Sequence, residues 1–264
     1  MKAILPPFPN NPSLAFPFFF IEYTHRICSW NEYYANELVH FHQDAIPGDP
    51  WFGHAPLAVI VDYVCSTFPD YTTPMLDVGC GNGHLLLALT RIPIRVLLGN
   101  DVYTPQLHHI EKSATYNHLV GLDYSIPGIE LACSLAQSCQ RSWIAYHTFN
   151  LIQPEAFSEI YSSLMHTFEC VMDKGTLDAI SLSKNPLHLS VYVNTVHSFF
   201  RPHSDTTRFI IASCNWTRQE LVDMFKNKFD LVEELHLPMP KFTFGGQQGN
   251  TVTILVFKPI PPST

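Results

Sequence analysis

The stretch Pro74-Met-Leu-Asp-Val-Gly-Cys-Gly-Asn-Gly-His-Leu-Leu-Leu-Ala-Leu89 decides the fold. A short apolar run reaches Asp77, three glycines follow at Gly79, Gly81 and Gly83, and an apolar helical pattern begins at once. This order predicts a strand, a tight turn and a helix. Glycine suits the turn because it adopts positive φ, and because a missing Cβ lets a ligand lie against the backbone.

The spacing of the glycines separates two classes of nucleotide ligand. Dinucleotide-binding folds carry G-x-G-x-x-G and place a pyrophosphate on the helix N-terminus. The pattern here is Asp-x-Gly-x-Gly-x-Gly, which favours a ligand without phosphate. It resembles the glycine loop of class I S-adenosylmethionine methyltransferases, and the resemblance implies that Asp77 and the three glycines bind that cofactor. The alternative is an ordinary glycine turn between a strand and a helix.

Composition bounds the class of protein. A chain of 264 residues with 46% hydrophobic residues suffices for one α/β domain with a substantial core. A net charge of -8 without a basic run argues against a nucleic-acid partner, because phosphate binding needs clustered Lys and Arg. A basic protein substrate suits this charge better.

Cysteine and histidine usage bears on compartment and metal content. The seven cysteines are an odd number without a C-x-x-C pair, which indicates reduced thiols in a cytoplasmic protein. The pairs His40-x-His42 and His108-His109 have no carboxylate or cysteine nearby at metal-site spacing, so no metal site is expected.

The N-terminal region has two parts. Residues 1–29 contain five prolines and a Phe-rich run that is too short to span a membrane, so we expect a poorly ordered tail with no anchor or signal peptide. From residue 30 a single domain is expected, opening with a helix over Trp30–Phe41 that covers the core. In the loop before the apolar helix Leu57–Phe68, Trp51 could plug the core or close over a cofactor.

The second strand should end in an acid that binds the ribose hydroxyls, about 20 residues beyond the glycines. Asp101 lies 18 residues beyond Gly83 and Asp123 lies 40 residues beyond it. We choose Asp123, because a helical stretch follows it as a crossover requires. Removal of residues 96–117 would restore the generic distance, so this segment is predicted to be an insertion: a surface loop, or untranslated sequence retained in a gene model.

Two further strand ends carry candidate residues. The strand Trp143–Phe149 leads into Asn150, whose amide oxygen could accept the adenine amino group while a backbone amide nearby, at Leu151, serves a ring nitrogen; a turn-capping Asn is the alternative. The strand Phe168–Met172 leads into Asp173, which lies where open α/β sheets place their ligands. An acid that only caps the next helix is the alternative there.

The remaining segments complete an α/β pattern. Helices are predicted at Leu187–Phe200 and Arg218–Phe229, and strands at Arg208–Ala212 and Leu231–Leu237. The run Phe242–Phe257 supplies a glycine-rich turn and the last strand of an antiparallel hairpin. The alternation predicts one Rossmann-like sheet, mostly parallel, with that hairpin at its edge.

Together these motifs resemble the seven-strand protein-lysine methyltransferases that modify translation elongation factor 1-alpha. The likeness covers about residues 30–258, and its most discriminating parts are Asp-Lys-Gly-Thr and Ser-Cys-Asn-Trp-Thr. The matching segments are Trp30-Asn31 with Tyr34 and Glu37-Leu38, Trp51-Phe-Gly53, Leu76–Gly83, Gly121-Leu-Asp-Tyr-Ser125, Asp173–Leu182, Ser213-Cys-Asn-Trp-Thr217 and Phe242-Thr-Phe-Gly-Gly246. The chain departs from the family at Asn31, at Asn150 and in the segment 96–117.

The resemblance implies a monomeric enzyme that transfers a methyl group from S-adenosylmethionine to a lysine of elongation factor 1-alpha. Cofactor contacts are then expected from Trp51, Asp123, Tyr124, Asn150 and Leu151, beside the glycine loop. Asp173 is expected to orient the incoming lysine or the methionine end of the cofactor. The substrate mouth is expected at Asn215, Trp216 and Phe244. The alternatives are a small-molecule methyltransferase of the same fold and an inactive cofactor-binding paralogue.

Overall fold

The structure is a computed structural model that describes residues 30–45, 48–90, 115–183, 185–202, 204–237, 242–244, 247–249 and 252–261. The predicted tail at residues 1–29 lies outside these residues, and so do Asp101 and most of the predicted insertion. Tyr116, near the end of the predicted insertion, is fully buried, and its hydroxyl donates to the Val64 carbonyl at 3.3 Å. A surface loop would therefore have to end before Tyr116.

Strands form the centre of the fold. Their bounds are β1 Met75–Val78, β2 Leu119–Asp123, β3 Ala145–Thr148, β4 Cys170–Lys174, β5 Arg208–Ser213, β6 Phe229–Leu235, β7 Phe242–Phe244, β8 Gln247–Gly249 and β9 Thr253–Pro259. Seven of them make one sheet in the order β3-β2-β1-β4-β5-β9-β6. Strands β1 to β5 are parallel, whereas β9 runs antiparallel to both β5 and β6. The predicted mostly parallel sheet with an antiparallel C-terminal pair is confirmed.

Helices cover both faces of this sheet. Their bounds are α1 Trp30–Asp44, α2 His54–Thr67, α3 His84–Leu89, α4 Ile126–Ser138, α5 Ser158–Leu164, α6 Thr176–Ser181, α7 Leu187–Ser198 and α8 Arg218–Phe225. A short 3-10 helix, Pro154–Phe157, precedes α5. No helix in the described part of the chain is long and apolar enough to cross a membrane.

The core consists of two apolar clusters, one on each face of the sheet. Successive strand residues alternate between them, because side chains on a strand point to opposite faces. Met75 and Ile210 belong to the cluster that includes residues of α2, α3 and α4, whereas Leu76 and Ile211 belong to the one that includes residues of α7 and α8. The mostly buried strands β1, β2, β4 and β5 are thus held between two helical layers, and the carboxyl ends of the parallel strands lie along one edge of the sheet.

Two predicted boundaries need correction. Strand β4 begins two residues later than predicted, so Asp173 and Lys174 are part of the strand rather than of the turn after it. Helix α8 ends at Phe225, and Phe229 begins β6, because its ring is buried with Phe209 and Phe257 in the core. The glycine-rich run folds as the separate hairpin β7–β8, and β9 closes the main sheet against β6.

Candidate active site

A pocket of about 270 Å³ lies at the carboxyl ends of the parallel strands. Open α/β sheets bind ligands at this edge. The wall consists of Trp30, Tyr33, Tyr34, Asp49, Trp51, Gly79, Cys80, Asn82, Asp123, Tyr124, Phe149, Asn150, Leu151, Ile152, Lys174, Gly175, Thr176, Ala179, Ile180 and Ser183. The wall thus brings together the glycine loop and residues at or just after the ends of β2, β3 and β4. The sequence analysis predicted each of these segments as a separate candidate.

The glycine loop is shaped by protein contacts as much as by space for a ligand. All three glycines have positive φ, at 69°, 52° and 77° for Gly79, Gly81 and Gly83. A Cβ on Gly79 would lie 1.8 Å from Thr176 Oγ1, and one on Gly81 would lie 2.1 Å from the Tyr34 hydroxyl. Of the three, only Gly79 is on the pocket wall. At all three glycines the space that a Cβ would fill is taken by another side chain of the protein and is not space for a ligand: Thr176 at Gly79, Tyr34 at Gly81 and Tyr146 at Gly83.

Asp77 lies behind the wall on β1, next to the strand that carries Lys174. Its carboxylate is 2% exposed, and burial raises its pKa while the positive charge of Lys174 opposes the rise. Burial likewise lowers the pKa of Lys174, and the charge of Asp77 opposes this. Each charge thus offsets part of the cost of burying the other.

Asp123, at the end of β2, is the acid of the pocket. Its two oxygens accept hydrogen bonds from the Gly81 and Ser125 N–H groups, both at 2.8 Å, and thus join β2 to the glycine loop. Burial raises its pKa to about 6, although these backbone donors favour the carboxylate. Tyr124 beside it lines the pocket, and its hydroxyl accepts the Trp30 N–H at 3.2 Å.

Asn150 and Leu151 lie on the wall after β3. The Asn150 Oδ1 atom accepts the Ile152 N–H at 3.1 Å, which is the turn-capping contact of the alternative prediction. A carbonyl oxygen has a second lone pair, so the cap leaves room for one more donor. Asn150 therefore combines a turn-capping contact with a position on the pocket wall.

Asp173 is fully buried beneath the pocket and is not part of its wall. Its oxygens accept the N–H groups of Thr176 and Leu177, at 2.8 and 3.1 Å, and the hydroxyl of Tyr192. Burial raises its pKa to about 7, and the Tyr192 hydroxyl opposes the rise. The carboxylate holds the first turn of α6, and its expected role in orienting the lysine or the methionine end of the cofactor stays a prediction.

The turn after β5 is hydrogen-bonded to α6 through Asp178. The Asp178 carboxylate accepts the Ser213 hydroxyl at 2.5 Å and the Cys214 N–H at 2.8 Å. This fixes the turn that carries Asn215, which is exposed, and Trp216, whose indole nitrogen is buried without a partner in the described part of the chain. Neither residue is on the pocket wall. The backbone of Phe244 pairs with that of Gln247, and its side chain lies outside the described part of the chain.

Trp30, Tyr33, Tyr34 and Trp51 are on the pocket wall, and of these four the sequence had pointed to the cofactor only for Trp51. Trp51 lies on this wall, with its ring edge-on to Trp30 at a centroid distance of 4.8 Å. Tyr33 and Tyr34 of α1 complete it. Their apolar helical spacing predicted a helix against the core, and nothing in that pattern distinguishes a pocket wall from core packing.

The pocket fits S-adenosylmethionine. A carboxylate offers about four acceptor positions, and the backbone uses only part of those of Asp123, so ribose hydroxyls can be accepted there. Phe149, Leu151 and Ile152 supply apolar surface for a purine. Asp49 and Asp123 balance the single cation of the described wall, Lys174, which suits a sulfonium better than a phosphate.

Comparisons with known proteins agree with this site. A family model described as "Methyltransferase domain" matches residues 69–255. The protein "EEF1A lysine methyltransferase 2" of Danio rerio is 31% identical over 231 residues, which cover 87% of this chain and 84% of that protein. The "Protein-lysine N-methyltransferase efm4" of Schizosaccharomyces pombe is 32% identical over 249 residues, or 89% of this chain and 92% of that protein.

A solved structure extends the agreement to the fold. An SAM-dependent methyltransferase from Anabaena variabilis has a TM-score of 0.53 and 14% sequence identity, over 88% of this chain and 93% of that chain. This likeness concerns the fold alone, whereas the family follows from the sequence matches. The chain belongs to the S-adenosylmethionine-dependent methyltransferases of the elongation factor 1-alpha lysine methyltransferase family.

Proposed function

We propose that this protein transfers a methyl group from S-adenosylmethionine to a lysine side chain of translation elongation factor 1-alpha. The Danio rerio relative is named for that activity, and the Schizosaccharomyces pombe relative is named as a protein-lysine N-methyltransferase. The observation that carries the proposal within this chain is the contact of Asp123 with Gly81, which brings the acid of β2 and the glycine loop to one pocket.

In this proposal the pocket wall divides into three parts. Asp123 and Tyr124 hold the ribose, and Asn150 with Leu151 holds the adenine. Gly79 and Trp51 flank the methionine end, while Gly81, Gly83 and Asp77 act from behind the wall by shaping the loop and balancing Lys174. The supporting observation is that the ribose and adenine residues follow adjacent strands in the order expected for one extended ligand.

The protein has little acid–base chemistry to perform. When bound, the sulfonium supplies an activated methyl group for an in-line displacement by an amine. The chain must hold the neutral lysine amine in line with that carbon and exclude water. A free lysine has a pKa of about 10.4, so the site must favour its uncharged form, and partial desolvation by the aromatic wall lowers an amine pKa.

Asp173 is a positioning residue in this proposal. It orients the first turn of α6, from which Thr176, Ala179 and Ile180 reach the pocket. Asn215, Trp216 and Phe244 form the substrate mouth; for Asn215 and Trp216 this is supported by the Asp178 contacts that tie their turn to α6. We further propose a cytoplasmic monomer, in line with six described cysteines that are all free thiols.

A labelling experiment tests the proposal. The purified chain is incubated with radiolabelled S-adenosylmethionine and a lysate that lacks the native enzyme, followed by electrophoresis and mass spectrometry. Label on one band of elongation factor size, mapped to a lysine, is expected. Label on small molecules alone, or an unlabelled lysate despite intact binding of S-adenosylhomocysteine, contradicts it.

A further inference from the structure

We infer that Lys174 is a positioning residue that holds the tryptophan loop, Gly48–Gly53, against the cofactor pocket. Its Nζ donates a hydrogen bond to the backbone oxygen of Trp51 at 3.0 Å, across 123 residues of sequence. Lys174 ends β4, which is fixed in the middle of the sheet, whereas Trp51 belongs to a loop between α1 and α2. The bond therefore ties a loop to the central strand of the sheet.

The indole of Trp51 packs against Gly175, the residue after Lys174. A Cβ on Gly175 would lie 2.6 Å from Trp51 Cδ1 and 2.8 Å from its Nε1, so only glycine leaves room for the ring. Gly175 also has a φ of 95°, which other residues rarely adopt. Lys174 and Gly175 thus act on the same residue, one through the backbone oxygen of Trp51 and the other through its ring.

The tryptophan loop has an unfavourable backbone conformation at Phe52 and several attachments to the rest of the fold, among them the packing of Phe52 on the core and of Trp51 on Trp30. Gly48, Phe52 and Gly53 all have positive φ, at 70°, 66° and 75°, and this conformation is unfavourable for Phe52. Among the described contacts, the loop makes one backbone hydrogen bond of its own, from Gly53 N–H to the Pro50 oxygen at 2.8 Å. The Asn82 side chain reaches the Asp49 oxygen at 3.5 Å, which is a long contact. The Lys174 bond is shorter and carries a charge.

Asp77 makes this arrangement possible. A buried ammonium without a counter-charge would be costly, and the Asp77 carboxylate supplies that charge from the neighbouring strand β1. The ammonium donates its hydrogen bond to the Trp51 oxygen in this electrostatic setting. The inference rests on the proposed cofactor site, because it assigns Lys174 to the support of that site's wall.

Binding of S-adenosylhomocysteine by calorimetry tests the inference in a double-mutant cycle. We expect Lys174→Met to weaken binding at least tenfold. In the background of Trp51→Ala, where the ring is already lost, the same change should weaken binding less than twofold. If Lys174→Met alone is unstable, the double variant Asp77→Asn/Lys174→Met replaces it in the cycle, because the double variant has no carboxylate at position 77.

Fluorine NMR provides a readout that loss of stability alone would not move. The chain has four tryptophans, so 5-fluorotryptophan labelling gives four signals, and Trp51→Phe identifies one of them. Lys174→Met should shift or broaden the Trp51 signal and leave those of Trp143 and Trp216 in place. Lys226→Met, which removes an exposed lysine of α8's C-terminal end, is the matched control with no expected change.

Two results would overturn the inference. A tenfold loss that persists in the Trp51→Ala background would mean that Lys174 acts on the ligand independently of the tryptophan loop. An unchanged Trp51 signal in Lys174→Met would mean that the loop stays in place without it. Both readouts use the purified protein and the cofactor product alone, so an unlabelled elongation factor would refute the proposed substrate without deciding this question.

Discussion

The hydroxyl of Tyr34 lies where a side chain on Gly81 would have to be: a Cβ built on Gly81 comes within 2.1 Å of it. Tyr34 belongs to α1, which is remote in sequence from the glycine loop, and its ring also contacts Gly128 at the start of α4. The N-terminal helix is therefore fitted directly onto the loop and forms part of the pocket wall.

This contact predicts unequal costs for two glycine substitutions. Gly53 has a similar positive φ of 75°, but a Cβ there would meet nothing within 4 Å. We expect Gly53→Ala to lower the free energy of unfolding by about 1 kcal/mol, the cost of φ alone. Gly81→Ala should lower it by about 3 kcal/mol, because the clash with Tyr34 is added. If urea denaturation gave the same decrease in the free energy of unfolding for both variants, the Tyr34 side chain would move aside at no measurable cost.

Cofactor affinity should depend on the ionisation of Asp123. Its pKa is about 6 in the free protein, and ribose hydroxyls need the carboxylate as acceptor. Affinity for S-adenosylhomocysteine should therefore be constant from pH 7.5 to about 6.5 and fall at lower pH, by up to tenfold per pH unit. Calorimetry at several pH values measures this directly.

Two variants serve as controls for the Asp123 prediction. Asp123→Asn should bind weakly at every pH, with no fall between pH 6.5 and 5, because its amide does not titrate. Asp101→Ala should bind like the parent protein. A parent-like affinity in Asp123→Asn together with a loss in Asp101→Ala would reverse the assignment of the ribose acid.

The sheet could be read from the sequence because each parallel strand is a short buried run followed by a turn and a helix. The choice of Asp123 over Asp101 for the end of β2 was possible for the same reason: a crossover helix follows Asp123. Contacts between distant segments could not be read this way. Tyr34 against Gly81 and Lys174 against Trp51 depend on how α1 and its following loop fold back, and apolar spacing carries no information about that.

The role of Asp173 shows a second limit. An acid at a central strand end is compatible with chemistry and with helix capping, and sequence alone does not separate them. The three hydrogen bonds to Thr176, Leu177 and Tyr192 show that the carboxylate does cap α6, whatever else it does. Strand β4 also extends two residues further than its apolar run, since Asp173 is buried as a carboxylate with hydrogen-bond partners rather than exposed in a turn.

A positioning role for Asp173 predicts an effect of Tyr192→Phe on the pH profile of methylation. The Tyr192 hydroxyl opposes the rise of the Asp173 pKa, which is about 7. Without it the pKa should rise further, so more of the protein is protonated at neutral pH and the first turn of α6 is held less well. We expect kcat to fall severalfold at pH 7 and to recover by pH 9.

Tyr161→Phe is the matched control, because it also removes one tyrosine hydroxyl. That hydroxyl is hydrogen-bonded to the Ser198 hydroxyl at 3.0 Å, and Tyr161 is not on the pocket wall. Its pH profile should match that of the parent protein. Asp173→Ala should lower turnover at all pH values. Full turnover and full cofactor affinity in Asp173→Ala would contradict any role for this carboxylate.

His84 offers a prediction about stability, because its imidazole is 1% exposed and neither ring nitrogen has a partner in the described part of the chain. Leucine has a similar volume and no polar atoms. We therefore expect His84→Leu to raise the free energy of unfolding at pH 7 by about 1 kcal/mol, since an unpaired buried polar group is costly. Urea denaturation measures the difference.

The same variant should also change the pH dependence of stability. Burial lowers the pKa of His84 from 6.5 to about 3, so between these values the unfolded chain binds a proton that the folded chain excludes. The free energy of unfolding is therefore unaffected by the titration of His84 above pH 6.5 and decreases as the pH falls, by about 2 kcal/mol at pH 5. His84→Leu should remove that loss, whereas His118→Leu, at an exposed position, should retain it. An advantage of His84→Leu that does not grow between pH 7 and pH 5 would mean that the buried imidazole accepts its proton in the folded state.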